Sequence, residues 1–366
     1  MTALASDLPP DVPADPARPP AADPPDPNDR TGTSDRMPLS VLDLATVADS
    51  GTSATALAET TELVRRAETL GYRRFWVAEH HNMATVASTV PSVLIAHLAA
   101  STSRIAVGSG GVMLPNHATL SVAEQFAMLE ALHPGRIDLG IGRAPGTDRA
   151  TAQALRRGGL DADEEFGRHL LDLMGLLGDP RTEDGLWRHF RATPVATSAP
   201  RVMLLGSSGF SAQLAGLLGL PFAFAHHFDM GGTVQAVAIY RDAFRASDIL
   251  DEPYVIVTAS TLGAADADTA DRLAAPARLR RHGIRTGQIL PLLSPEASLA
   301  HPDYPAAAAA GTAALVGTGP DVVAGLEDLA ARTGATELMI NTPTHGLRER
   351  LDSLERVADA WGLTPR

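Results

Sequence analysis

From Met37 onward, short apolar runs alternate with longer stretches in which apolar residues recur every three to four positions. Short runs rich in β-branched and aromatic residues read as buried strands, and the longer periodic stretches read as helices. Residues 40–44 form the first strand. Residues 54–70 form the first helix, with Leu57, Leu63, Val64, Ala67 and Leu70 on one face and Gly71 as its stop. The same rhythm pairs strand 75–81 with helix 90–100, 105–108 with 120–132, 137–141 with 164–177, and 202–205 with 210–218. It continues with 222–225 and 234–244, 254–259 and 321–331, and 337–341 and 347–358. Eight strand–helix units in strict alternation call for a parallel sheet. Spread over residues 37–366, they fit an α/β fold of the (β/α)8 TIM-barrel type with insertions. The competing doubly wound sheet carries a glycine fingerprint after its first strand, where this chain has Ala45-Thr46-Val47. Connections at about 142–163 and 282–319 exceed ordinary loop length and are expected to be lids or disordered segments.

Composition narrows the chemistry. The 366 residues contain neither cysteine nor lysine, which excludes disulfides, thiolate nucleophiles, Cys-ligated metals, Schiff-base lysines and the lysine-bearing phosphate loop. A phosphate would have to be met by Arg, His, hydroxyls or backbone N–H groups. The formal net charge of −13 argues against nucleic acid or an anionic membrane as partner. Residues 1–36 hold nine prolines and seven aspartates and almost no large apolar residue, so they read as a disordered tail preceding a single barrel domain at 37–366. The tail has neither the basic start nor the apolar stretch of a secretory signal, so a cytoplasmic location is expected.

Barrel enzymes place their chemistry at the C-terminal ends of the strands. Here the second strand ends in Glu79-His80-His81, and the third runs into Gly108-Ser109-Gly110-Gly111, with Met113 just beyond in an apolar wall. The fourth ends in Gly140-Ile141-Gly142-Arg143, the fifth in Gly206-Ser207-Ser208-Gly209, and the sixth in His226-His227. Ser207, Ser208 and Ser211 lie where a strand gives way to a helix, so hydroxyls and N–H groups meet the positive end of a helix dipole; phosphate is the anion such a place suits. Arg143 adds a fixed positive fork. A plain Ser N-cap and a surface salt bridge are the structural alternatives. Gly110-Gly111 allows the backbone to approach something flat, so the rim suits a phosphorylated aromatic cofactor.

At these residues the chain resembles the bacterial luciferase-like family of flavin-dependent monooxygenases. The matches are FWVAEHH at 75–81, GSGGVMLP at 108–115, GRIDLGIGR at 135–143, and the stretch 205–211 followed by Gly219-Leu220-Pro221. The resemblance implies a (β/α)8 barrel, reduced FMN delivered by a separate flavin reductase, and oxygenation of a small organic substrate by O2 through a C4a-peroxyflavin. It makes His80 the catalytic residue and puts Arg143, Ser207, Ser208 and Ser211 around the phosphate. It also puts a cis non-prolyl bond at Gly110-Gly111, with Met113 beside the ring. Glu79, His81, His226 and His227 are expected at the substrate or flavin rim, with Glu79 tuning His80 if the two are close. Members using the deazaflavin F420 make an F420-dependent oxidoreductase the alternative, and a homodimer is expected. Where luciferases have a reactive thiol this chain has Ile141 or Gly142, so no light emission is implied. A metal-dependent hydrolase using the rim histidines is the rival from another class. Adjacent strand residues point to opposite faces, so His80 and His81 are poorly placed to share an ion, and no metal is expected.

Overall fold

Side chains alternating along each strand sort into two apolar layers, and this sorting closes the sheet. The computed structural model describes residues 36–155, 165–228, 230–288 and 290–365. The tail expected at 1–36 lies, apart from Arg36, outside the described residues, as does 156–163 of the first long connection. The strands are β1 (Leu39–Asp43), β2 (Arg74–Val77), β3 (Ala106–Met113), β4 (Ile137–Gly142), β5 (Arg201–Gly206), β6 (Phe222–Phe224), β7 (Val255–Ala264), β8 (Leu315–Thr318) and β9 (Glu337–Asn341). Val41, Phe75, Val77, Leu204, Phe222, Val255, Val257 and Leu338 point outward into the layer beneath the helices. Their neighbours Leu42, Trp76, Met203, Ala223, Ile256 and Met339 point inward and fill the barrel. A period of two with both faces apolar is what a parallel strand covered on both sides requires.

The ring runs β1 to β7 and then β9, all parallel; β9 pairs with β1, and the β6–β7 pairing completes the circuit. The helices are α1 (Ser53–Leu70), α2 (Pro91–Ala100), α3 (Thr119–Leu132), α4 (Arg149–Leu155), α5 (Phe166–Leu176), α6 (Gly209–Leu217), α7 (Thr233–Ala243), α8 (Ala267–Thr286), α9 (Pro295–Leu299), α10 (Tyr304–Ala309), α11 (Gly319–Thr333) and α12 (Leu347–Trp361). α1 shows why such segments start and stop where they do. Thr52 and Thr55 cap it reciprocally, and Gly71 ends it at φ 89°, where an added Cβ would lie 2.3 Å from the Thr364 carbonyl oxygen.

Four expectations need correction. The second strand, expected over 75–81, covers only Arg74–Val77. The third strand does not stop at Gly108 but runs to Met113, with its register shifted between Gly110 and Val112. The connection at 282–319 is not an unstructured lid: it holds the end of α8, then α9, α10 and β8. Finally, β8 is a ninth strand outside the ring, paired with the far half of β7 from Thr261 to Ala264.

An inward polar cluster occupies the N-terminal end of the barrel. Arg74 donates to Glu337 (2.7 Å) and Asp138 (2.6 Å), Trp76 Nε1 donates to Asp138 (2.9 Å), and Ser40 donates to Glu337 (2.6 Å). All five side chains are buried. Burial pushes both carboxyls up, but the guanidinium of Arg74, helped by Arg201 at Asp138 and Arg73 at Glu337, holds them below the ordinary carboxylate range.

Candidate active site

β2 ends at Val77, so Glu79, His80 and His81 lie in the loop that follows it. Glu79 and His81, two apart, turn to the same side. Glu79 Oε1 accepts from His81 Nε2 at 2.7 Å and from His117 Nε2 at 2.8 Å, while Glu79 Oε2 accepts from the Met113 N–H at 3.1 Å. Glu79 is fully buried, so its expected place on the rim is corrected to one beneath it. Burial raises its carboxyl pKa, but the bonds and charge from His117, then those from His81 and the Met113 N–H, outweigh that and leave it below the usual range. Asn116, buried in the same loop, donates to the Pro145 carbonyl at 2.9 Å. This clamp ties the ends of β2, β3 and β4 together. Glu79, His81 and His117 offer ligand atoms within 4.8 Å of one another, the spacing of a metal site. Both imidazoles, however, are at hydrogen-bond distance from the same oxygen, which a proton at each Nε2 satisfies.

His80 faces the other way. Its backbone N–H donates to the Ser88 carbonyl (3.1 Å), and its buried Nδ1 has no hydrogen-bond partner among the described residues. Its pKa is lowered, first by burial and then by the charge of Arg280; Glu79 opposes this only in part. The expectation that Glu79 tunes His80 is therefore corrected: burial and Arg280 dominate. His227, across the mouth in the turn after β6, has the same unpartnered Nδ1 and is pushed down to about 4 by burial, then by His226 and His80. His226 is turned aside, with its Nδ1 2.8 Å from the Thr233 hydroxyl, and its pKa is lowered by burial and then by Arg332.

Between these histidines lies the glycine floor. The Gly110–Gly111 peptide bond is cis. A Cβ on Gly110 would come within 2.8 Å of Leu42, and one on Gly111 within 2.7 Å of the Gly140 carbonyl oxygen, so the backbone packs closer than any side chain would allow. Met113 pairs with Gly142 in the ladder. The Met113 sulfur would lie 2.9 Å from a Cβ on Gly142, immediately before Arg143.

The remaining residues gather at β4 and β5. The Arg143 guanidinium lies over the Phe210 ring, 4.3 Å from its centroid, in the first turn of α6. Ser207 and Ser208 are exposed and Ser211 is buried. Ser208 occupies the N-cap position of α6, yet its side chain makes no capping hydrogen bond, so the plain N-cap alternative does not hold. Among the described residues no carboxylate pairs with Arg143. A cation, free hydroxyls and open N–H groups at a helix N-terminus form a donor set that fits a phosphate. With the close-packed glycine floor and the orphaned imidazole nitrogens, the residues present fit a flavin mononucleotide.

His117, Asn116 and Arg280 escaped the sequence reading. His117 and Asn116 follow Met113 closely enough for loop proximity to have suggested them. Arg280 comes from α8, where sequence offers no such signal.

Comparison with known proteins gives the chain's family and fold. The family model described as luciferase-like monooxygenase matches residues 37–337. The Bacillus subtilis protein YvbT is 44% identical over 88% of this chain and 96% of its own. An Escherichia coli K12 protein named luciferase-like monooxygenase is 40% identical over 89% of this chain and 98% of its own. Among solved structures, apo-MsnO8 superposes with a TM-score of 0.83 at 37% identity, covering 90% of this chain and all of that one. The fold is shared more distantly with the FMN-bound oxygenating constituent of 3,6-diketocamphane monooxygenase of Pseudomonas putida (TM-score 0.66, 17% identity, 89% and 98% covered). It is likewise shared with an F420-dependent secondary alcohol dehydrogenase (TM-score 0.62, 14% identity, 89% and 99% covered).

Proposed function

The chain belongs to the luciferase-like monooxygenase family, and from that premise we propose that it is a flavin-dependent monooxygenase, taking reduced FMN from a separate reductase and using O2 to oxygenate a small organic substrate. The observation that carries this reading is the coexistence, on one barrel rim, of a lysine-free anion cradle at β4 and β5 with a glycine floor flanked by His80. Reduced flavin, when bound, supplies the electrons that activate O2, which no side chain here can provide.

The chain's own residues hold and shield that chemistry. Arg143, Ser207, Ser208 and Ser211, with the first turn of α6, bind the phosphate. Gly110, Gly111 and Met113 bring backbone and thioether against the ring. His80, kept neutral by burial and by Arg280, holds or returns a proton through Nδ1, the position left without a partner. His227 closes the opposite side, and the apolar interior beneath, with Trp76 and Leu42, keeps water out.

The enzyme is read as a cytoplasmic homodimer. α2 and α3 pack together and leave Val93, Met128 and Leu132 exposed, which supports a subunit contact on that face. Among the described residues no helix is long and apolar enough to cross a membrane.

The phosphate cradle would serve F420 as well as FMN, so the test compares the two. Anaerobic titration of the purified full chain with reduced FMN and with reduced F420 is expected to show saturable uptake of FMN alone. Uptake of F420 alone would reassign the protein to hydride transfer without O2.

A further inference from the structure

α8 carries five arginines, four of them between Arg278 and Arg285, and they do not share one role. Arg278 is paired with Asp271 at 2.6 Å, and Arg281 donates to Thr312 at 3.0 Å. Arg280 turns inward to the loop between β2 and α2. Its single hydrogen-bond partner among the described residues is the Thr85 hydroxyl, at 3.5 Å, the outer limit of such a bond. Among the described residues no carboxylate pairs with it, and burial lowers its pKa. It is also the charge that, after burial, most lowers the pKa of His80, which puts the two side chains within electrostatic reach.

The loop that Arg280 meets is firmly tied down. The Thr85 carbonyl accepts from Val47 N–H at 2.9 Å, Ala87 N–H donates to Ala45 at 2.9 Å, and His80 N–H donates to Ser88 at 3.1 Å. Thr46 and Val86 form an isolated antiparallel bridge between the β1–α1 and β2–α2 loops. Arg280 therefore sits over the β1–β2 side of the mouth. In a closed ring of eight strands β1 stands opposite β5, so Arg280 and the Arg143–Ser207–Ser208 cradle lie on opposite sides. A phosphate held at β4 and β5 leaves Arg280 without an anion.

Arg280 is half-buried and has no carboxylate partner among the described residues, so its guanidinium keeps donors open to an anion that a ligand brings. We propose that Arg280 anchors a carboxylate of the organic substrate, across the barrel mouth from the phosphate cradle and beside His80. This rests on the monooxygenase reading of the site and deepens it: the substrate class is an organic acid. The planar fork pairs both carboxylate oxygens at once, which fixes orientation as well as position. The oxidisable part of the molecule is thereby directed over the glycine floor. Neutral esters of the same acids are discriminated against, because they leave the cation unpaired.

The test uses the full chain, as wild type and as R280Q, R280K and R143A. Calorimetric titration with sodium hexanoate and with methyl hexanoate is run at ionic strength held constant with sodium chloride. Thermal unfolding in chloride alone checks that each variant folds. The wild type should bind hexanoate saturably and in preference to the ester. R280Q should bind hexanoate at least about tenfold more weakly, and R280K should fall between the two. Equal hexanoate affinity in wild type and R280Q, or no saturable hexanoate binding by the wild type, would overturn the assignment. A parallel FMN titration separates the two readings. FMN affinity should fall in R143A and hold in R280Q, and its loss in R280Q would assign Arg280 to the cofactor and overturn the proposal. A wild type that binds hexanoate through Arg280 but takes up no FMN would leave the organic-acid site standing and remove the flavin reading.

Discussion

His80 and Glu79 are neighbours in the loop after β2 with different surroundings. Glu79 is a buried acceptor for His81, His117 and the Met113 N–H, and it holds three strand ends in register. His80 is left with a buried Nδ1 that has no hydrogen-bond partner among the described residues. A hydrogen bond to a charged oxygen contributes about 1.5–3 kcal/mol, which corresponds to roughly ten- to a hundredfold in rate. His80→Ala should therefore release hydrogen peroxide from FMN-loaded enzyme faster by about that factor, while FMN affinity changes little. Stopped-flow reoxidation with a peroxide assay reads this directly, and an unchanged release rate would remove His80 from the chemistry. The sequence made His80 legible because it follows a short apolar strand run, at the strand end where barrel chemistry sits. The partners of Glu79 and the reach of Arg280 are set by chain crossings of 38 and 195 residues, the latter through Thr85, and no local pattern records them.

Among the elements, most ring strands were legible as short apolar runs with both faces buried, as in β1, β2, β6 and β7. α8 was not: Pro276 lies inside it, and its buried face is mostly alanine with Leu273 and Leu279, so the amphipathic signal is weak. β8 is four residues long and only partly buried, and it reads as loop. The glycines of β3 and β4 were legible as a motif, but not as the tight seam they form. A Cβ on Gly140 would lie 2.2 Å from the Ser109 carbonyl oxygen, within the backbone of the paired strand. Gly140→Ala should force β3 and β4 apart at the floor of the site and lower stability by about 1–3 kcal/mol or more. Denaturant unfolding measures the loss, and FMN affinity should fall with it. A variant with unchanged stability would contradict the close approach.

For the molecule as a whole, the polar cluster at the N-terminal end of the barrel is the largest buried concentration of charge among the described residues. Removing one partner of a buried pair leaves the other uncompensated, at a cost of about 3–5 kcal/mol. Asp138→Asn should lower unfolding free energy by less than that, about 1.5–3 kcal/mol, since Arg74 keeps Glu337 and Arg201 is only half-buried. The pH dependence follows in sign. The Asp138 and Glu337 carboxyls titrate lower when folded than when unfolded, so the unfolded chain binds more protons in acid. Their stabilisation is fully present above their unfolded values, about pH 4, and is lost as the pH falls through the depressed folded values. Acid unfolding of Asp138→Asn should show a shallower loss over that window than the wild type. The barrel was legible at this scale because strict alternation leaves few topologies. The inward ion network was not, since a lone Arg74 or Glu337 at a strand end reads as a solvated terminus.

These scales meet in one claim: the rim of this barrel binds FMN with the phosphate at β4–β5 and the ring on the glycine floor. A crystal structure of the FMN-loaded protein tests it most directly. The account predicts the phosphate against Arg143, Ser207, Ser208 and the first turn of α6, the ring over Gly110–Gly111, and His80 at its edge. A flavin bound elsewhere, or a phosphate paired with Arg280 in place of Arg143, would contradict it.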